Sequence, residues 1–187
     1  SCDVTTEIES LVLNHMMMSL FSAYNPKASD RGLALFVKKG LDEKSGILET
    51  DSEKIRRIME HLLDNALKFT SKGSVEFGYR KEDDKIILFV RDTGDGIAPE
   101  YLEKIFDRFT QEEKEMTRKA DGLGLGLAIV KEYADLLGAE IKVESEKGKG
   151  SEFMIILPYN KEEFETSNDK NLSDKSILIA EDEELNF

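Results

Sequence analysis

The chain has 187 residues, 40% of them hydrophobic, which is enough for one domain with a real core. Its 26 Lys and Arg against 39 Asp and Glu give a formal net charge of -13, which argues against a nucleic-acid or anionic-membrane surface, since either needs clustered cations. A single cysteine excludes an internal disulfide framework and a cysteine-rich zinc site, and two histidines leave little for any other metal cage. No apolar run approaches the roughly 18–20 residues of a membrane helix, and the N-terminus lacks the basic-then-apolar pattern of a secretion signal. A soluble domain in a reducing, cytoplasmic setting fits these features.

From Thr6 onward Ile8, Leu11, Val12 and Met16 recur at helical spacing. Thr6 and Glu9 stand as a capping box and Asn25-Pro26 as a stop, which predicts a first helix over about 6–24. His15, four residues after Leu11, falls on the packed side of that helix and is expected in or near the core; Met16, Met17 and Met18 are expected to pack. Leu33 to Val37, bounded by Gly32 and Gly40, predicts a strand, and a polar turn follows. Thr50 and Glu53 form a second capping box, and Ile55, Met59, Leu62 and Ala66 step along one face, predicting a helix over about 51–69.

Val75, Phe77 and Tyr79 alternate as a half-buried strand should, whereas Ile86 to Val90 is continuously apolar, as in a strand covered on both faces. Asp83-Asp84 makes the hairpin turn between them. A third helix is predicted from about Leu123 to Leu137, stopped at Gly138. Strands around Ile141 to Glu144 and Glu152 to Leu157 then pair through Lys147-Gly148-Lys149-Gly150. This order predicts an α+β fold, a two-layer sandwich whose mixed, mostly antiparallel sheet carries its helices on one face.

From Tyr159 to Lys175 the composition turns polar, the pattern of an interdomain linker. Ser176 to Ala180 has a buried-strand pattern ending in Glu181-Asp182-Glu183-Glu184, and Phe187 comes before any further fold could be completed. The expected organisation is a domain over 1–158, a linker over 159–175 and the start of a second unit over 176–187.

Asp92-Thr93-Gly94-Asp95-Gly96-Ile97 directly follows the central strand. Its glycines let backbone approach a ligand closely, and an aspartate at a strand end can accept a hydrogen bond from an exocyclic amino group such as that of adenine; the same residues also suit an ordinary glycine-rich turn. Gly122-Leu123-Gly124-Leu125-Gly126-Leu127 opens the third helix, where free amides and the helix dipole favour phosphate. Its spacing fits neither a dinucleotide fingerprint nor a P-loop, and a glycine cluster of this kind also serves as a hinge. His61, Asn65 and Lys68, spaced i, i+4, i+7, share one helix face beside the apolar stripe. An Asn carbonyl oxygen suits Mg2+ and Lys68 can offset phosphate charge, although a polar edge facing water has the same pattern.

Taken in order, these stretches resemble the ATPase domain of histidine kinases, in the superfamily that includes gyrase, heat-shock chaperone ATPases and mismatch-repair ATPases. Leu62 to Thr70 is similar to the N box of that family, Asp92 to Gly96 to its first glycine box, Ile105 to Gln111 to its F box, and Gly122 to Ile129 to its second glycine box. The resemblance covers about residues 3–158 and implies the Bergerat sandwich with ATP and Mg2+ as cofactors. It implies that Asn65 binds the metal, Lys68 lies near the phosphates, Phe69 lies against the nucleotide, Asp92 recognises the adenine amino group, and Gly94, Gly96 and Ile97 shape the base pocket. Gly122, Leu123, Gly124, Leu125 and Gly126 would contact phosphate; 107–121 would be a lid anchored by Phe106 and Phe109, the latter also reaching the nucleotide, with Arg108 and Arg118 as its cations. Catalytic roles fall to His61, Asn65 and Lys68.

Two positions depart from the family: His61 stands where an Asn is usual, and Leu123 where a Thr is usual. The phosphoacceptor motif of the family is absent, and Ile177 to Asn186 resembles the first strand and acidic pocket of a receiver domain, with Glu181 and Asp182 in the metal-binding positions. The implied function is transfer of the ATP γ-phosphoryl group to a histidine on a separate dimerisation domain of a hybrid sensor kinase. A regulatory module that binds ATP without phosphotransfer is the alternative, and a chaperone- or gyrase-type ATPase is disfavoured because His61 replaces the acidic residue such enzymes use to activate water. The implied partners are ATP or ADP, the histidine-bearing dimerisation domain and the receiver domain, with no nucleic acid and no direct membrane contact. The chain itself is expected to be monomeric within a homodimeric parent, which the sequence leaves free to be anchored in the inner membrane.

Overall fold

The structure, a computed structural model, describes residues 6–42, 45–102, 104–106 and 126–159. In chain order these form β1 (Glu9–Val12), α1 (Leu13–Asp30), β2 (Ala34–Lys38), β3 (Ile47–Thr50), α2 (Ser52–Phe69), β4 (Ser74–Glu82), β5 (Lys85–Asp92), α3 (Pro99–Leu102), α4 (Gly126–Leu136), β6 (Glu140–Glu146) and β7 (Gly150–Pro158). The main sheet has the order β2-β4-β5-β7-β6, with β2 parallel to β4 and the other neighbours antiparallel. β1 and β3 form a separate antiparallel pair.

Alternation along the strands builds the two layers. Val75, Phe77 and Tyr79 of β4, Ile86, Leu88 and Val90 of β5, and Phe153, Ile155 and Leu157 of β7 join one core with the apolar stripes of α1, α2 and α4. Ile55, Ile58, Met59, Leu62 and Leu63 supply the α2 part of that core, which fits its i, i+3, i+4, i+7 pattern. Asn14 is one of the buried polar residues: its Nδ2 donates to the Leu41 carbonyl at 3.0 Å and its Oδ1 accepts the Tyr79 hydroxyl at 2.7 Å. On the opposite face, which no described helix covers, Ile87, Phe89, Met154 and Ile156 form a second buried cluster. The Arg80 guanidinium lies over the Phe89 ring, 5.5 Å from its centroid.

The first predicted helix is corrected. Residues 9–12 are extended and pair with β3, α1 starts only at Leu13, and the supposed polar turn contains β3. Leu11 and Val12 fit a strand as well as a helix, and their pairing partners lie far along the chain, beyond the reach of local periodicity. Pro26 does not end the helix but sits inside its last turns, where the carbonyl left without an amide donor belongs to an exposed stretch that water can serve. The later start also sets the phase, so the buried row is Leu13, Met16, Met17, Leu20 and Tyr24, while His15 and Met18 are exposed.

Thr50 and Glu53 do not cap α2. Asp51 does, its Oδ1 accepting the Lys54 amide at 3.0 Å while its Oδ2 accepts the Glu7 amide at 3.0 Å and pairs with Lys54 Nζ at 2.5 Å. The remaining strands lie where periodicity puts them, and Gly138, with φ at +64°, follows the end of α4. α3 has no counterpart among the predicted elements, and the predicted first turn of the third helix, 123–125, lies outside the described residues. No helix among the described residues is long and apolar enough to cross a membrane.

Candidate functional site

Asp92 ends β5, opposite Ser151 at the start of β7, and is 7% exposed. Its Oδ1 accepts the Gly94 amide at 2.8 Å, and the neighbouring Ser151 amide also favours the ionised form of this carboxylate. Burial pushes its pKa up, with the nearby Asp95 charge acting in the same direction against those two amides. A carboxylate has about four lone-pair sites, so the two amides leave acceptor capacity for a further N–H.

The loop after Asp92 is wedged between the end of α2 and the turn joining β6 to β7. On one side the Asp95 amide donates to the Phe69 carbonyl at 3.2 Å, and a Cβ at Gly94 would collide with that same carbonyl. On the other side the Gly148 amide donates to the Asp95 carbonyl at 2.7 Å. Gly96 has φ at +63°, and a Cβ there would collide with the Glu146 carbonyl, so glycine is required on both counts. The Ile97 amide donates to Ser145 Oγ at 2.7 Å.

α2 supplies the wall beside this loop. His61, Asn65 and Lys68 are half-buried next to buried Leu62, Ala66 and Leu67, and Phe69 is 51% exposed with Lys68 Nζ 5.3 Å from its ring centroid. His61 Nδ1 stands 3.6 Å from where a Cβ on Gly126 would be, so the imidazole lies beside the N-terminal residue of α4. From His61 to Phe69 the helix rises about 12 Å. One helix wall therefore joins the buried Asp92 carboxylate near its C-terminal end to Gly126, the first described residue of α4, further back.

Residues 50–161 match the family model described as histidine kinase-, DNA gyrase B- and HSP90-like ATPase. The chain belongs to that ATPase family. The autoinducer 2 sensor kinase/phosphatase LuxQ of Vibrio parahaemolyticus is 36% identical over 148 residues, 76% of this chain and 17% of LuxQ. Full-length ShkA, solved in complex with AMPPNP, matches with a TM-score of 0.73 at 26% identity over 85% of this chain and 32% of that one. The nucleotide-free catalytic domain of the histidine kinase ThkA matches with a TM-score of 0.68 at 25% identity, over 81% of this chain and 95% of that one. The chain thus spans well under half of LuxQ and of ShkA, but its fold is the ATP-binding fold of histidine kinase catalytic domains.

Within this ATPase fold, the structure brings His61, Asn65, Lys68, Phe69, Asp92, Gly94, Gly96, Ile97 and Gly126 to α2, the loop after β5 and the start of α4. Phe109, Gly122, Leu123, Gly124 and Leu125, with Arg108, Arg118 and the rest of 107–121, lie outside the described residues. Phe106 is half-buried against the main core. Among the described residues no group of three or more His, Cys, Asp or Glu side chains could hold a metal ion.

Sequence reasoning missed Ser145 and Ser151, which meet the glycine loop only because β7 pairs with both β5 and β6. It included Thr70 in the N-box stretch without a role of its own; its Oγ1 at the end of α2 is buried and has no hydrogen-bond partner among the described residues.

Proposed function

We propose that this chain binds ATP with the adenine at Asp92 and the phosphates toward Gly126, and supplies the catalytic domain of a sensor histidine kinase. The observation that carries this reading is the Asp92 carboxylate, buried yet ionisable, fixed by the Gly94 amide beside the Phe69 end of α2. The exocyclic amino group of adenine is the donor it would accept, and Phe69 offers an exposed ring for the base. Asn65 would hold Mg2+, whose role is to neutralise charge on the phosphates, and Lys68 would add to it.

The reaction is in-line transfer. The bond from the γ-phosphorus to the bridging oxygen breaks, a bond to an imidazole nitrogen of a histidine on a separate helical domain forms, and ADP leaves. The chain's own contribution is positioning and charge stabilisation. Residues 159–175 would be a linker and 176–187 the first strand of a receiver domain, with Glu181 and Asp182 in its acidic pocket. In this reading the parent is a homodimer through its helical domain.

Calorimetric titration of ADP and a non-hydrolysable ATP analogue, with and without Mg2+, tests the binding half. Saturable binding that is strengthened by Mg2+ and lost in Asp92→Asn is the expected result, and no binding overturns it. Phosphotransfer to an added histidine-bearing helical domain tests the catalytic half; binding without transfer would favour a regulatory module.

A further inference from the structure

Ser145 is the last residue of the inward-facing row of β6, following Ile141 and Val143, which pack against the main core. A hydroxyl replaces an aliphatic side chain where that row reaches the loop after Asp92. Its Oγ accepts the Ile97 amide at 2.7 Å, lies 2.9 Å from the Gly150 carbonyl and lies 2.9 Å from Ser151 Oγ. A serine hydroxyl has one proton and two acceptor sites. One arrangement satisfies every contact: Ser145 donates to Gly150, and accepts from Ile97 N–H and from the Ser151 hydroxyl. Its capacity is then fully used inside the protein, leaving none for a ligand.

The groups it joins meet opposite ends of the loop after Asp92. Ser151 pairs with Asp92 in the β5–β7 ladder, and a Cβ on Gly150 would collide with the Asp92 carbonyl, so this turn presses directly on the start of the loop. Ile97 is its other end. We propose that Ser145 is a positioning residue of the nucleotide site, fixing the span from Asp92 to Ile97 so that the carboxylate is held where the amino group of the base must arrive. This rests on the adenine-binding reading of Asp92 and adds to it the group that sets the loop. Removing the hydroxyl leaves the half-buried Ile97 amide without its acceptor and breaks the tie to Ser151, while Asp92 itself and its Gly94 amide donor remain.

The test uses the full chain and three variants, Ser145→Ala, Ser145→Thr and Asp92→Asn, with ADP and inosine diphosphate as probes. Inosine diphosphate carries an oxygen where ADP carries the amino group, so the ratio of the two affinities reads the alignment of Asp92 rather than overall folding. Ser145→Ala is expected to weaken ADP binding about five- to thirtyfold, the scale of one lost buried hydrogen bond, and to narrow the ADP preference. Ser145→Thr, which keeps the hydroxyl, should restore both. Hydrogen exchange at the Ile97 amide should accelerate in the alanine variant and not in the threonine one. Wild-type ADP affinity and preference in Ser145→Ala would overturn the proposal, as would a loss equal for both nucleotides that threonine does not repair. Failure of the wild-type chain to bind ADP would instead sink the adenine reading, and this proposal with it.

Discussion

Asp92 Oδ1 lies 2.8 Å from the Gly94 amide nitrogen, so the carboxylate that ends β5 also shapes the turn that follows it. Burial raises the pKa of this carboxylate above the 3.8 of a free Asp side chain, with Asp95 contributing in the same direction. For an acid whose folded value is raised, the contribution to stability is fully present below the unfolded pKa and is lost as pH rises through the folded value. Ionised Asp92 therefore lowers stability near neutral pH, although only the ionised form can accept from a base with both oxygens. A carboxyl NMR titration should place the Asp92 midpoint above 3.8, and adenosine affinity should fall on acidification through that midpoint. A midpoint at or below 3.8 would show that the Gly94 and Ser151 amides outweigh burial.

Gly96 and Gly126 should respond differently to a methyl group. At Gly96 φ is +63° and a Cβ would meet the Glu146 carbonyl, so Gly96→Ala combines backbone strain with a collision against main chain. Gly126, the first described residue of α4, has no positive φ, and among the described residues its Cβ would meet only His61 Nδ1, at an ordinary 3.6 Å. Thermal unfolding should show Gly96→Ala lowered by several degrees, on the order of 1–3 kcal/mol, and Gly126→Ala unchanged or slightly raised. Lower ADP affinity in Gly126→Ala at unchanged stability is the expected sign that phosphate approaches that backbone.

Glu152 ties together the sheet face that no described helix covers. Its Oε2 accepts from Arg91 Nη2 at 2.6 Å and Nε at 3.0 Å, and its Oε1 accepts from Arg80 Nη1 at 3.3 Å. The Glu152 side chain is 11% exposed, against 54% for Arg91 and 38% for Arg80, so the acid is desolvated while its partners stay wet. Glu152→Ala should cost about 1–2 kcal/mol, between a surface pair and a buried one, and Glu152→Gln less, because the amide keeps one acceptor. Urea unfolding of the two variants distinguishes this from a network without net value, in which both midpoints would match the wild type.

The parts of this molecule that were legible in the sequence are those specified over short distances. α2 was legible because Ile55, Met59, Leu62 and Ala66 keep one helical phase, and its site face followed from the same phase through His61, Asn65 and Lys68. β5 was legible because its burial is continuous from Ile86 to Val90. What was hidden depends on distant pairing. β1 is a strand because β3 lies beside it, and Asp51 caps α2 while also binding the Glu7 amide across the same pair of strands. The expected burial of His15 came from extending the helical phase back through Leu11, a residue that belongs to β1. Ser145 carries no local motif and meets Ile97 only through the β6–β7 register.

His61 lies where the resembling family usually has an Asn, and its ring stands beside Gly126 rather than in the core. A side chain that served only packing would be buried among Leu62, Leu63 and Ala66; His61 is half-buried on the edge of that stripe. At this place it can donate to a phosphate oxygen or to a water on a metal held by the nucleotide. His61→Ala should therefore leave thermal stability close to wild type while weakening binding of the Mg2+ complex of an ATP analogue about tenfold, roughly one charge-assisted hydrogen bond. His61→Asn should recover most of that loss. Adenosine, which lacks phosphates, should bind all three proteins alike, because the groups expected to hold the base, Asp92 and the glycine loop, lie at the other end of α2. Equal affinity of wild type and His61→Ala for the Mg2+ complex would return His61 to a structural residue.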